Sequence, residues 1–463
     1  MLGFYLLMLS VLLLGGFFAG QRRALAVAGG KASVLHSLPY YHGLFTIAAV
    51  LVPVLAIMVI GFPLVNYLAN QAAIAHFPAD VQTDPLKLGA ALRDAANLAD
   101  GRSMATLTDE LQRAASSMNS TRTFGNWAVI LAGAFAGFAA MMIAIGKISI
   151  SWRARNLFER FVLWMLVISA AIAILTTIGI VTSVVAETYR FFFDPDIKGK
   201  PTVTEFLFGL DWNPQAAMRA DQGDIQTAYG FVPLLTGTLL ITAIAMIVAV
   251  PVGLMAAIYL SEYATPKVRA VAKPVLEILA GIPTVVLGFF AAFVVAPSIK
   301  GFGEIFGLGV SSESALAAGL VLGMMIIPFM SSLSDDVINA VPQSLRDGSY
   351  AMGATKSETM KLVILPAALP GIVSAFILSF SKAIGETMIV VMAAGLAARL
   401  TANPLESVTT ITVQIQSILT GDQEFDSAKT LAAFALGFVL FFVTLSLNYI
   451  ALRVVQKYRE QYD

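Results

Sequence analysis

Nine stretches of mostly apolar residues, each close to the roughly 20 needed to cross a bilayer as a helix, recur along this 463-residue chain. They fall near residues 3–19, 43–67, 126–146, 162–186, 230–258, 274–297, 313–333, 364–396 and 430–452. Hydrocarbon offers no partner to an unpaired backbone N–H or C=O, so such stretches are confined to helices. The fold class is therefore an all-α integral membrane protein of about nine transmembrane helices. Composition agrees: 58% of residues are hydrophobic and 13% charged, against about 25% charged in soluble domains. The run 364–396 is too long for one upright helix. It is either tilted or broken around Gly385, and it counts as one crossing. Residues 1–19 lack a basic stretch ahead of the apolar one, and Arg22 and Arg23 follow it, so they are expected to be a retained span rather than a signal peptide.

Positive residues in short loops are held on the cytoplasmic side. Arg22, Arg23 and Lys31 follow the first span, and Lys147, Arg153, Arg155 and Arg160 the third. Lys267, Arg269 and Lys273 follow the fifth, Arg346, Lys356 and Lys361 the seventh, and Arg453, Lys457 and Arg459 the ninth. The alternate short loops carry little beyond Lys300 and Arg399. The alternation predicts an N-terminus outside and a C-terminus in the cytoplasm.

Several chemistries are excluded or unsupported. The chain has no cysteine, so it has neither disulfides nor thiolate-held metals. Its 29 basic and 29 acidic residues give no reason to expect nucleic acid as a partner. There is no GxxxxGK[ST] phosphate loop, so ATP hydrolysis by that route is not expected of the chain itself. His36, His42 and His76 show no metal-ligand spacing, and neither a metal nor another cofactor is expected.

Two unequal parts emerge. Residues 1–160 hold three spans and a loop, 68–125, in which Leu107, Leu111, Ala114 and Met118 recur at helical spacing and predict a small helical cap. Residues 161–463 hold six spans and a long loop, 187–229, rich in aromatics, Pro and Gly. The first part reads as lipid-facing helices that stabilise the second, or as a regulatory or docking element. Gly133 and Gly137 form a GxxxG pair that permits close helix contact.

Within the second part, Asp347 to Pro366 spells a short helix, a turn at Gly353 and a second helix whose Thr355 and Glu358 stand at capping-box spacing. Pro366 is expected to bend the chain back into the bilayer. Such a knob outside the lipid offers a docking surface. The eighth span carries Lys382, Glu386 and Thr387. A charge at membrane depth costs at least about 2.5 to 3.5 kcal/mol, so these residues are expected to face the bundle interior or a watery path. Lys382 and Glu386, four apart, either pair to lock two helices together or line a translocation path. Early in the sixth span, Glu277 precedes Ala280-Gly281-Ile282-Pro283-Thr284, where Pro283 makes either a plain kink or part of a pathway wall.

The knob resembles the EAA loop of permeases of ATP-binding cassette (ABC) importers, with Gly353, Val363, Leu365 and Pro366 at matching places and Asp347-Gly348-Ser349 standing for E-A-A. Glu277 to Gly288, Leu345 to Thr355, Lys382 to Met388, and Phe208-Gly209 with Trp212-Asn213-Pro214 resemble the C-subunit type of Pst phosphate permeases. The resemblance covers about residues 161–455. Lys382 stands where arginine is expected, keeping the charge but losing bidentate recognition.

The resemblance implies a six-helix permease core with an N-terminal three-span extension, in a bacterial inner membrane. It implies a phosphate importer driven by partner ATPases, so that the chain is a transport subunit and not an enzyme. The implied partners are a second homologous permease, two cytoplasmic ATPases, a periplasmic phosphate-binding protein and membrane lipid. The cytoplasmic loop 334–363 would couple to an ATPase, with Asp347, Gly348, Ser349, Gly353 and Ala354 within it and Leu365 and Pro366 just after it as the coupling residues. Lys382, Glu386, Thr387 and Glu277 would line the path. Other cargoes, an ion-coupled carrier with Glu386 titrating, and a signalling role for the extension are the competing expectations.

Overall fold

The computed structural model describes residues 1–102, 108–214, 228–420 and 427–459. Among these, nine helices are long and apolar enough to cross a membrane, one for each expected span. The chain forms two compact units, Met1–Leu175 and Thr176–Asp463.

The first unit contains α1 (Leu2–Val27), α2 (Pro39–Ile74), α3 (Ala79–Thr83), α4 (Pro85–Ala99), α5 (Asp109–Gly146) and the start of α6 (Ala154–Phe193). Its core is made by α1, α2 and α5 around Tyr5, Val50, Val54, Val129 and Ile130. The Gly133 and Gly137 pair makes this packing possible. A Cβ at Gly133 would lie 2.8 Å from the Tyr5 ring, and one at Gly137 2.7 Å from Val54. Tyr5 Oη is free to donate to the Val54 carbonyl at 2.7 Å. The ends of α2 and α5 project beyond this core and close with α4 over Ala73, Phe77, Ala95, Ala114 and Met118, a small helical cap. Leu107, expected in that cap, lies outside the described residues. The apolar stretch of α6 buries none of its residues.

The second unit begins with the rest of α6 and continues through α7 (Val203–Phe208) and the strand pair β1 (Trp212–Asn213) and β2 (Ala228–Tyr229). Then come α8 (Val232–Ile258), α9 (Pro266–Ala280), α10 (Thr284–Phe290), α11 (Ala296–Ile305), α12 (Ala315–Ala340), α13 (Gln343–Ala351), α14 (Lys356–Thr359), α15 (Leu365–Ile384), α16 (Met388–Ala393), α17 (Ile411–Leu419) and α18 (Ala428–Arg459). The strand pair precedes α8 and the knob contacts the segment that follows it. At 1.5 Å per residue, these two ends of the 27-residue α8 lie about 40 Å apart.

α12 is the most enclosed span, packed against α8 and α15 through Leu322, Met325, Ile326 and Met330. Wide π turns at Ala291–Val295 and Met360–Ile364 interrupt two spans, and one at Tyr259–Tyr263 ends a third.

Three expectations change in the second unit. The sixth span begins at Thr284 rather than 274, because the helix stops at Gly281 and resumes after Pro283. What precedes it is the separate amphipathic α9, with Val268, Val271, Val275 and Ile278 exposed on one side. The eighth span is broken rather than tilted, ending at Ile384 and resuming as α16. Pro366 does not turn the chain. The helix runs from Lys356 to Ile384, with the proline in the first turn of α15 just after a π turn, where its missing N–H is accommodated.

Candidate functional site: a broken span and a clamped knob

The knob is built from local signals. α13 ends at Met352, and Gly353 takes φ +88, a left-handed conformation that glycine adopts without steric cost. Gly353 N donates to the Tyr350 carbonyl at 2.9 Å and Ala354 N to Ser349 at 3.2 Å, closing the turn. The capping box then starts α14. Thr355 N donates to Glu358 Oε2 at 2.8 Å, and Glu358 N to Thr355 Oγ1 at 3.3 Å. Ser349 and Thr359 hydroxyls meet at 2.9 Å and tie the two helices together. Asp347 accepts from Gln343, and Gly348 faces open space. Leu365 packs inward and Pro366 is exposed. Met352, beside the turn, is 89% exposed at the tip.

Charges that sequence reading had counted only for orientation hold this knob in place. Arg346 is buried: Nε donates to Glu262 Oε1 at 3.0 Å, Nη1 to the Val341 carbonyl at 2.8 Å and Nη2 to Ile338 at 2.7 Å. It thereby satisfies carbonyls at the end of α12 while pairing with the π turn that follows α8. Asp335, 2% exposed on α12, makes a second clasp. Its carboxylate accepts from Arg269 Nη2 at 3.0 and 2.9 Å, Lys273 Nζ at 2.9 Å and Asn339 Nδ2 at 2.9 Å. The hydrogen bond to Asp335 raises the Lys273 pKa above the ordinary lysine value, against the opposing effect of burial. Arg269 also donates to the Leu260 carbonyl at 3.1 Å. Both clasps therefore converge on the π turn at 259–263. No local pattern marks them, since Glu262 and Arg346 lie 84 residues apart.

The broken span contains the expected charged pair. Ser379 bonds Met330 and Lys382 Nζ lies 4.6 Å from the Phe329 ring centroid, which sets Lys382 level with the middle of α12. The helix ends two residues later, so the four-residue spacing does not bring the charges together. Lys382 and Glu386 form no ion pair. Lys382 is exposed against the ring, and Glu386 Oε1 accepts from Met388 N at 3.1 Å across the break. Thr387, half-buried, precedes α16 with no side-chain cap.

α10, the segment after the Pro283 break, crosses α16 closely. A Cβ at Gly288 would lie 2.8 Å from Met392 Sδ and 2.9 Å from the Met388 carbonyl. Glu277, by contrast, is exposed on α9 ahead of the sixth span, and no hydrogen bond or ion pair joins it to Lys382, Glu386 or Thr387. Among the described residues, no group of three or more His, Cys, Asp or Glu could hold a metal ion.

Both parts of the chain match family models. Residues 6–176 match one described as phosphate ATP-binding cassette transporter, and residues 249–460 one described as binding-protein-dependent transport system inner membrane component. The probable ABC transporter permease protein YqgH of Bacillus subtilis is 35% identical over 253 residues, 54% of this chain and 78% of that one. The phosphate transport system permease protein PstC of Pasteurella multocida is 32% identical over 278 residues, 54% and 80% respectively. PstC 1 of Mycobacterium tuberculosis is 32% identical over 278 residues, 54% and 81%. This chain belongs to the family of binding-protein-dependent permeases of phosphate ABC transporters.

Proposed function

We propose that the chain forms half of the translocation path of an ATP-driven phosphate importer, with the broken eighth span as its lining. The observation that carries this is the interruption at Gly385–Thr387, next to a lysine at mid-span that has no carboxylate within ion-pair distance among the described residues. Irregular backbone is tolerated at membrane depth only where protein covers it or water reaches it. Lys382 attracts the anion. The nearby Glu386 carboxylate weakens its hold, and weak holding permits release. Thr387 supplies a hydroxyl at the same level.

In this reading residues 1–160 are a three-span extension of a core formed by 161–463. The chain is a multi-pass subunit of a bacterial inner membrane, with its N-terminus outside and its C-terminus in the cytoplasm, as the basic loops favour. It has no ATPase site of its own. The knob, with Asp347, Gly348, Ser349, Gly353 and Ala354 around its turn, sits in one of two cytoplasmic ATPases. Leu365 and Pro366 begin the helix that carries the movement to the break. A second homologous permease completes the path, and a periplasmic phosphate-binding protein delivers to the 187–229 loop. An ion-coupled carrier would have no use for a knob seated through the buried Arg346.

The absence of cysteine allows a direct test. In the assembled transporter, Thr387→Cys is expected to react with a small charged thiol reagent, with phosphate slowing the reaction. No reaction in any nucleotide state would place Thr387 away from a watery path and overturn the assignment.

A further inference from the structure

The Trp212-Asn213-Pro214 motif of the 187–229 loop has no role in the site as described, yet its tryptophan reaches the core. Trp212 is buried, with its ring edge-on to Tyr229 at 5.9 Å. Its indole Nε1 donates to Gln414 Oε1 at 2.9 Å across 202 residues of sequence. An indole nitrogen can only donate, so the orientation of the Gln414 amide is fixed. The Gln414 Nε2 then donates to the Leu396 carbonyl and to Thr409 Oγ1, both at 3.2 Å.

Gln414 stands in the first turn of α17, and that turn holds both ends of α16. Thr412 Oγ1 donates to the Glu386 carbonyl at 2.8 Å, just before α16, while Gln414 holds Leu396 just after it. Thr410 meets Thr412 at 3.0 Å, and Ile411 N donates to Thr238 on α8 at 3.1 Å. Buried amide networks of this kind are rigid when complete and costly when one bond is lost.

We propose that Trp212 and Gln414 are positioning residues for the Glu386 site, tying the β1–β2 strand pair to both ends of α16 at the broken span. The proposal rests on the reading that Glu386 lines the phosphate path. Trp212→Phe keeps an aromatic ring beside Tyr229 but loses the indole N–H together with part of the bicycle, leaving Gln414 Oε1 without that donor. Gln414→Leu removes the amide from the other side.

The test uses the whole transporter in proteoliposomes, with binding protein and ATP present. Labelled phosphate uptake and ATP hydrolysis are measured per assembled complex for both variants, the double variant and Glu386→Gln. Each single variant is expected to lower maximal uptake about tenfold and to raise the ATP consumed per phosphate moved. The binding-protein concentration for half-maximal rate should change less than twofold. The double variant should be no worse than the worse single one. Trp212→Phe within twofold of wild type per complex, beside an inactive Glu386→Gln, would overturn the positioning role and leave the path intact. Normal uptake by Glu386→Gln would overturn the path reading, and this proposal with it.

Discussion

Glu386→Gln is expected to abolish phosphate uptake, by about a hundredfold or more if the charge is worth the 2.5 to 3.5 kcal/mol that placing it at membrane depth costs. The substitution is clean. The carboxylate accepts one hydrogen bond, from Met388 N, and a carboxamide oxygen can accept the same bond. The break should therefore persist while the charge disappears. Lys382→Ala should be equally inactive and equally well assembled, since the contact it gives up with the Phe329 ring is worth about 0.5–1 kcal/mol at an exposed site. Uptake per assembled complex, with the copurified subunits quantified, decides both. Normal transport by either variant would reduce that residue to packing.

The second large effect lies near the knob. Asp335→Ala is expected to destabilise the core by about 3 kcal/mol, the lower end for breaking a buried pair, because Arg269 and Lys273 are each partly exposed and can recover some hydration. Thermal unfolding of purified protein measures this, and a change of only a few tenths would remove Asp335 from the framework. The pH dependence has a definite sign. The folded Lys273 pKa is raised, so its contribution is fully present below the ordinary lysine value of about 10.4 and is lost as pH rises through the folded value. The lysine therefore keeps its contribution through neutrality and loses it in strongly alkaline solution. Because Arg269 also holds the π turn that carries Glu262, loss of Asp335 should loosen the seat of Arg346 and with it the knob.

Local features were legible in the sequence. The nine spans follow from apolar length, and the turn at Gly353 and the Thr355–Glu358 box follow from residues a few positions apart, whose bonding needs no tertiary partner. The break at Gly385 was legible only as an alternative to tilt. Hydropathy continues unchanged through Met388–Ala393, while the backbone stops at Ile384. The same stop removes the alternative in which Lys382 and Glu386 pair, since four-residue spacing joins side chains only within one helix.

The late start of the sixth span had a readable signal. Val268, Val271, Val275 and Ile278 recur at helical spacing opposite Arg269 and Lys273, which marks a surface helix rather than the start of a crossing. The Arg346–Glu262 and Asp335 clasps, and the Trp212–Gln414 bond, join residues 62 to 202 positions apart. Sequence periodicity carries no information about such meetings.

The measurement that bears most directly on the central claim is labelled phosphate uptake into proteoliposomes containing this chain, its partner permease, the ATPase and the binding protein. The predicted result is uptake that requires both ATP and the binding protein and is not competed by sulfate or molybdate. ATP-dependent assembly without phosphate uptake, or uptake that proceeds without ATP, would contradict it.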